Sequence, residues 1–198
     1  MSRPVINPGT LIWSGEHWIN YIREPGAESD AGMVSLYHTR YSEAGEGTVA
    51  FVRLPAFGFE AICTDNLEVA QLITDLMIRE GNPFHGSDMP LRDAVLKRAG
   101  DIRSEPAWII QAGRHRIVST WSKLQPPVIA EGPAPTFSPV RDFFTLLFFA
   151  EGAGITFDGN VVEGAPYPRD IWKRSIGGMR SSCVFALAET MTAVPQEG

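Results

Sequence analysis

Residues 141–166 read RDFFTLLFFAEGAGITFDGNVVEGAP. The run Phe143–Ala150 carries no charge. Alternation along a strand sends Phe143, Thr145, Leu147 and Phe149 to one side and Phe144, Leu146, Phe148 and Ala150 to the other. A strand that is apolar on both sides is buried on both sides. One side then faces a sheet interior, and the other requires helices, a second sheet or a second subunit. Just downstream, Asp158-Gly159 separates two β-forming segments. A two-residue type I′ turn needs positive φ at both central positions, and Asp-Gly supplies it.

The same texture extends in both directions. TLIWSGEHWINYIR (10–23) is rich in β-branched and aromatic residues. Trp13, Trp18 and Tyr21 cannot share one strand face, so a bend is expected near Ser14-Gly15. MVSLYHTRY (33–41) reads as a strand with Val34, Leu36, His38 and Arg40 on one side. TVAFVRL and FGFEAIC follow, and AWIIQAGRHRIVSTWSKL predicts a hairpin around Ala112-Gly113. The Pro-rich stretch 126–139 suits only an edge strand. SSCVFALAETMTAV fits both a closing strand and a helix, and the strand is favoured. One or two helices are expected. One covers about 66–80, with Asp65 as N-cap, Glu68 completing a capping box and Gly81 as the stop. The second covers about 89–99, with Pro90 in its first turn and Leu91, Ala94, Val95 and Ala99 as its apolar stripe.

About ten short strands and one or two helices predict a mainly β (α+β) fold in a single domain over 1–198. A sheet of that size curls or closes, so the expected architecture is an antiparallel β-barrel or strongly curved sandwich. Its general layout resembles lipocalin-like barrels and helix-grip folds. The Gly-x-Trp signature of lipocalins is missing, because GTLIW has the wrong spacing.

The chain has 198 residues, 44% of them hydrophobic, and a formal net charge of −6. It lacks the basic face of a nucleic-acid binder and any apolar run of the roughly 18 residues that a membrane helix needs. Its first residues do not read as a signal peptide, so a cytoplasmic location is expected. Cys63 and Cys183 lack metal spacing and read as buried thiols. No Gly-rich phosphate loop or nucleophile elbow occurs, and no cofactor is expected.

These features point to a small-molecule-binding barrel for an apolar or aromatic ligand, with simple acid–base chemistry of the isomerase, cyclase or hydratase type as a further capacity. His38 beside Val34 and Leu36, and Glu60 within FGFEAIC, are the candidate proton-transfer pair. His17, Tyr37, Arg116, Trp121, Phe144 and Arg180 are candidate ligand contacts, drawn from the aromatic strands, the mixed-polarity strand 114–123 and the Arg-bearing segment 169–180. Two other readings compete. In one, the excess apolar face is an oligomer interface, in the simplest case a homodimer. In the other, distant histidines converge in a cupin-like metal-dependent enzyme.

Overall fold

The computed structural model describes residues 9–134 and 141–193. Four strands open the fold: β1 (Thr10–Ile22), β2 (Gly32–Ser42), β3 (Gly47–Leu54) and, after a 3-10 turn at Pro55–Phe57, β4 (Phe59–Thr64). Helix α1 (Leu67–Met77) follows, and then β5 (Leu91–Asp93), β6 (Val95–Asp101), β7 (Glu105–Ala112), β8 (His115–Leu124) and β9 (Val128–Ala134). The chain continues through β10 (Arg141–Phe157), β11 (Asn160–Val161), β12 (Pro168–Arg169), α2 (Trp172–Ile176), β13 (Arg180–Ser181) and β14 (Cys183–Ala193). Segment 183–193 is therefore a strand, as favoured, and the mainly β curled sheet is confirmed. Residues 135–140 of the Pro-rich stretch lie outside the described residues, and among the described residues β9 before them pairs only with β10. Among the described residues no helix is long and apolar enough to cross a membrane.

The main sheet runs β5-β4-β3-β2-β1-β14-β10-β8-β7-β6. Its pairs are antiparallel except β4 with β5. The two ends of this order are consecutive pieces of chain, separated by Ala94 alone, whose N–H donates to the Thr64 carbonyl at 2.8 Å. The sheet therefore curls into a half-barrel until its ends meet in segment 91–101. That segment is where the expected second helix fails. Ile62 N–H bonds the Pro90 carbonyl, β5 pairs with β4 and β6 pairs with β7, so the backbone groups are satisfied by neighbours rather than internally. Leu91 and Val95, half of the supposed stripe, are exposed.

The uncharged run lies in the first half of β10. Phe148 and Ala150 join the concave core with Trp18, Trp121, Phe185, Leu36 and Ile110. Trp18 stacks on Phe185 at 4.2 Å, and Trp121 meets Trp18 edge-on at 5.1 Å. Such aromatic pairs add about 0.5–1.5 kcal/mol each beyond area burial. On the convex side Leu147 and Phe149 cluster with Val184 and Ala186 under Trp172, whose ring meets Phe149 at 5.2 Å. Residues 147–150 of the run are thus covered on both sides from within the chain, whereas Phe144 is 42% exposed. The outer cover there is the α2 segment, and α1 covers the convex face of β3 with Val69, Ala70 and Ile73.

The cap of α1 is Asn66, one residue later than expected. Its side chain accepts from the N–H groups of Glu68 and Val69 at 3.0 and 3.3 Å. Asp65 instead accepts from Thr48 N–H at 2.6 Å and ties the helix start to β3. The helix also ends earlier, at Met77, and Gly81 (φ 88°) serves the next turn. Replacing Asn66 by Ala should cost about 1 kcal/mol, read from chemical denaturation midpoints. Asp65→Ala should act through the lost β3 tether instead and leave peptide-like helix capping intact.

Asp158 and Gly159 adopt φ of 50° and 84°, as the type I′ turn requires. Nothing lies within 4 Å of a Cβ built on Gly159, so a side chain there is opposed by backbone conformation alone. Gly159→Val should lower stability by about 1–3 kcal/mol, measured as a shift in thermal midpoint.

Candidate functional site

Two concavities carry polar side chains, one on each face of the sheet. The concave face opens at the end of β1 that precedes Trp18. Strand register sets out its rows. Phe148, Phe185, Trp18, Leu36 and Ala50 form the deep row, wholly or largely out of water. The next row runs Ile129, Leu146, Ala188 and, beyond a bulge that adds Leu187, Glu16, His38 and Thr48. The outermost row holds Phe144, Thr190, Ser14 and Tyr41. Exposure rises outward, to 42% at Phe144 and 52% at Tyr41.

Glu16 is the charged centre of this mouth, with a side chain only 8% exposed. Its carboxylate accepts from Trp18 Nε1–H at 3.0 Å and from Arg98 of β6, and Arg40 lies 4.0 Å away. The bend expected at Ser14-Gly15 positions it. The register of β1 against β2 shifts there, leaving Arg40 as the extra residue of β2, and a Cβ on Gly15 would run into the His38 carbonyl oxygen. A bulge of this kind re-aims a side chain. Arg98 spans the concavity, its guanidinium 5.4 Å over Trp18 and 5.5 Å over Trp108. Burial pulls its pKa below the usual arginine range. Trp108 is 3% exposed, and its buried Nε1–H has no partner. His38 stands beside it at 5.5 Å, with Nδ1 2.9 Å from Thr48 Oγ1.

The convex face carries a groove of about 690 Å³ between α1, the 78–89 loop and the sheet. Phe51, Ile62, Ile78, Phe84 and Met89 supply its apolar lining, and Thr74, Asp75, Arg79, Glu80, His85 and Ser87 its polar groups. Arg53 clamps the loop. It donates to Glu60 at 2.7 Å, to the Pro83 carbonyl at 3.0 Å and to Ser87 Oγ at 2.6 Å, with its guanidinium 5.3 Å over Phe84. His85 Nδ1 lies 3.0 Å from the Ile78 carbonyl, so the proton of the neutral ring sits on Nδ1 and Nε2 carries the lone pair.

The expected site residues divide between these faces. His38, Trp121 and Phe144 belong to the concave side, Trp121 as fully buried core donating to the Ile19 carbonyl at 2.8 Å. Glu60 faces outward with Arg53, so His38 and Glu60 are separated by the sheet and do not form a proton-transfer pair. Arg116 is exposed, and its backbone N–H caps Asp158. Arg180 lies against Phe149 at 5.9 Å beneath the outer cover. His17 and Tyr37 stack at 4.0 Å on the convex side. There His17 Nε2 is 3.1 Å from Ser35 Oγ, His17 Nδ1 is 3.6 Å from Glu189, and Thr145 donates to Glu189 at 2.9 Å. The order Ser–His–carboxylate resembles a nucleophile relay. Ser35, however, is 1% exposed, so a substrate carbonyl has no approach and the set is a buried hydrogen-bond network. Burial drives the neighbouring Tyr37 well above the usual tyrosine range and pushes Tyr21 up to about 12. Among the described residues no three His, Cys, Asp or Glu converge as metal donors. Cys63 and Cys183 are unpaired and buried, and burial pushes both thiols up to about 12.

Glu16, Arg98 and the Arg53 clamp were not among the expected site residues. Glu16 flanks a strand bend in an otherwise apolar stretch, which was a readable signal. Arg98 lies 82 positions away from it and offered none.

Burial, and then the Arg40 charge, lower the His38 pKa below 6.5, while Asp65 and Glu46 act weakly the other way. The folded protein holds His38 neutral at pH 7. As pH falls below 6.5 the unfolded chain takes up the proton first, so stability present above 6.5 is lost through the folded-state pKa. His38→Gln should flatten the fall in urea midpoint between pH 7 and about pH 5.5. An NMR titration of the His38 ring should give a midpoint below 6.5.

The chain matches no protein-family model, no curated protein and no solved structure.

Proposed function

We propose that this protein binds a small apolar or aromatic molecule in the groove between α1 and the convex face of the sheet. The observation that carries this reading is a groove of about 690 Å³ whose floor is Phe51, Ile62, Phe84 and Met89. That volume suits a small-molecule site, and polar residues, Arg79 among them, line it as heavily as the apolar ones. The concave interior supports a guest less well, because Trp18, Trp121 and Phe185 fill it against one another. The reading is binding without chemistry, since Glu60 orients the Arg53 clamp and faces away from His38. The polar rim sets the acceptors Asp75, Glu80 and His85 Nε2 beside the Arg79 guanidinium, which favours a ligand with both donor and acceptor groups at one end.

The test is a titration with the neutral fluorophore N-phenyl-1-naphthylamine. Saturable binding is expected for the parent. Thr74→Trp fills the groove from α1 and should weaken binding by about tenfold or more. Phe144→Asp, on the opposite face, should leave it unchanged. Absence of saturable binding, or equal affinity in the Thr74→Trp variant, overturns the reading.

A further inference from the structure

We infer that the mouth of the concave face is a second, independent site, for an elongated apolar molecule ending in a carboxylate. Charge comes first. Two guanidiniums, Arg98 and Arg40, converge on the single carboxylate of Glu16. One positive charge is left over, on the Arg40 side of the set, while Arg98 itself lies against Trp18 and Trp108. Guanidinium forks are matched to carboxylate oxygens, and a second carboxylate on Arg40 and Arg98 balances the set.

The second observation is the orphan donor. Trp108 is 3% exposed, its Nε1–H has no partner, and the Arg98 guanidinium covers its ring. A buried donor left unmade is costly, and Trp108 is the cross-strand partner of Arg98, which puts this unmet donor beside the charged centre. No titratable acid other than Glu16 is within ion-pair distance of either arginine among the described residues.

The third observation is the apolar track. Ile129, Leu146 and Ala188 are cross-strand partners in one row that ends at Glu16, with Leu187 in the bulge and Phe144 one row out. Ile129 is 61% and Phe144 42% exposed, on the same face as the charged centre. From β9 to β1 the row crosses three strand spacings, about 14 Å. A straight-chain acid of roughly that length lays its tail over Leu146 and Ile129 with its head at Arg40 and Arg98.

The probe pair is dodecanoate and dodecanol, each titrated below micelle-forming concentrations, with calorimetry and the summed intrinsic tryptophan fluorescence as readouts. Dodecanoate should bind saturably and more tightly than dodecanol by about tenfold. Arg40→Gln is the main variant, because Arg40 is 59% exposed and its loss leaves the Glu16–Arg98 pair in place. It should weaken dodecanoate by about fivefold and leave dodecanol unchanged. Ile129→Asp should weaken both probes, and the groove-filling Thr74→Trp should weaken neither. Equal affinity for acid and alcohol, or no effect of Arg40→Gln, overturns the inference. Loss of dodecanoate binding in Thr74→Trp also overturns it and assigns the acid to the groove.

Discussion

The curl of the sheet rests on polar side chains that reach across its concave face and all land on β1. Asn20, fully buried, donates to Ser119 Oγ and to the carbonyls of Thr120 and Gly154. Trp121 returns from β8 to the Ile19 carbonyl. In the sheet order β8 is separated from β1 by β14 and β10, so these bonds exist only when the sheet is bent. Hydrophobic burial alone would accept a range of curvatures. A buried amide with fixed partners accepts one, because any flattening leaves its N–H groups unmade in an apolar interior.

That bend gives the two faces different chemistry. Inside, the aromatic cluster leaves room for charge only at the rim, where Glu16 and Arg98 repeat the same device between β1 and β6. Outside, the convex curvature cannot close on itself, so it is roofed by α1 on one side and the α2 segment on the other. The groove lies at the α1 roof, where the Arg53 clamp and the packing of Ile78, Phe84 and Met89 together hold the 78–89 loop.

Local pattern carried much of this. The uncharged run of β10, the Asp158-Gly159 turn and the bend at Gly15 follow from alternation and turn chemistry, which act within a few residues. Segment 89–99 did not. The inward face of β6 carries Leu96 and then Arg98, and a charge on the core side breaks the period-2 signal, while Leu91, Ala94, Val95 and Ala99 fit a helical spacing by coincidence. Arg98 is tolerated there only because Glu16 waits on a strand that is distant in sequence. The Asp65 cap was misplaced by one because both Asp65 and Asn66 can cap, and the choice is made by Thr48, again from another strand. His38 shares a face with Val34 and Leu36 by simple alternation. Which face Glu60 shares with it depends on the register across two hairpins, and no local pattern specifies that.

The seam between β1 and β14 has a consequence for biosynthesis. Thr10 lies opposite Ala193, so the central strand of the sheet is completed only by the last of the described strands to be synthesised. At about 5–20 residues per second, β1 and β2 emerge many seconds before β14 does. Through that interval one edge of β1, bearing Trp13, His17 and Trp18, has no strand to pair with. The nascent chain must therefore be held in a partly paired state, a window in which its open edge is a template for other chains.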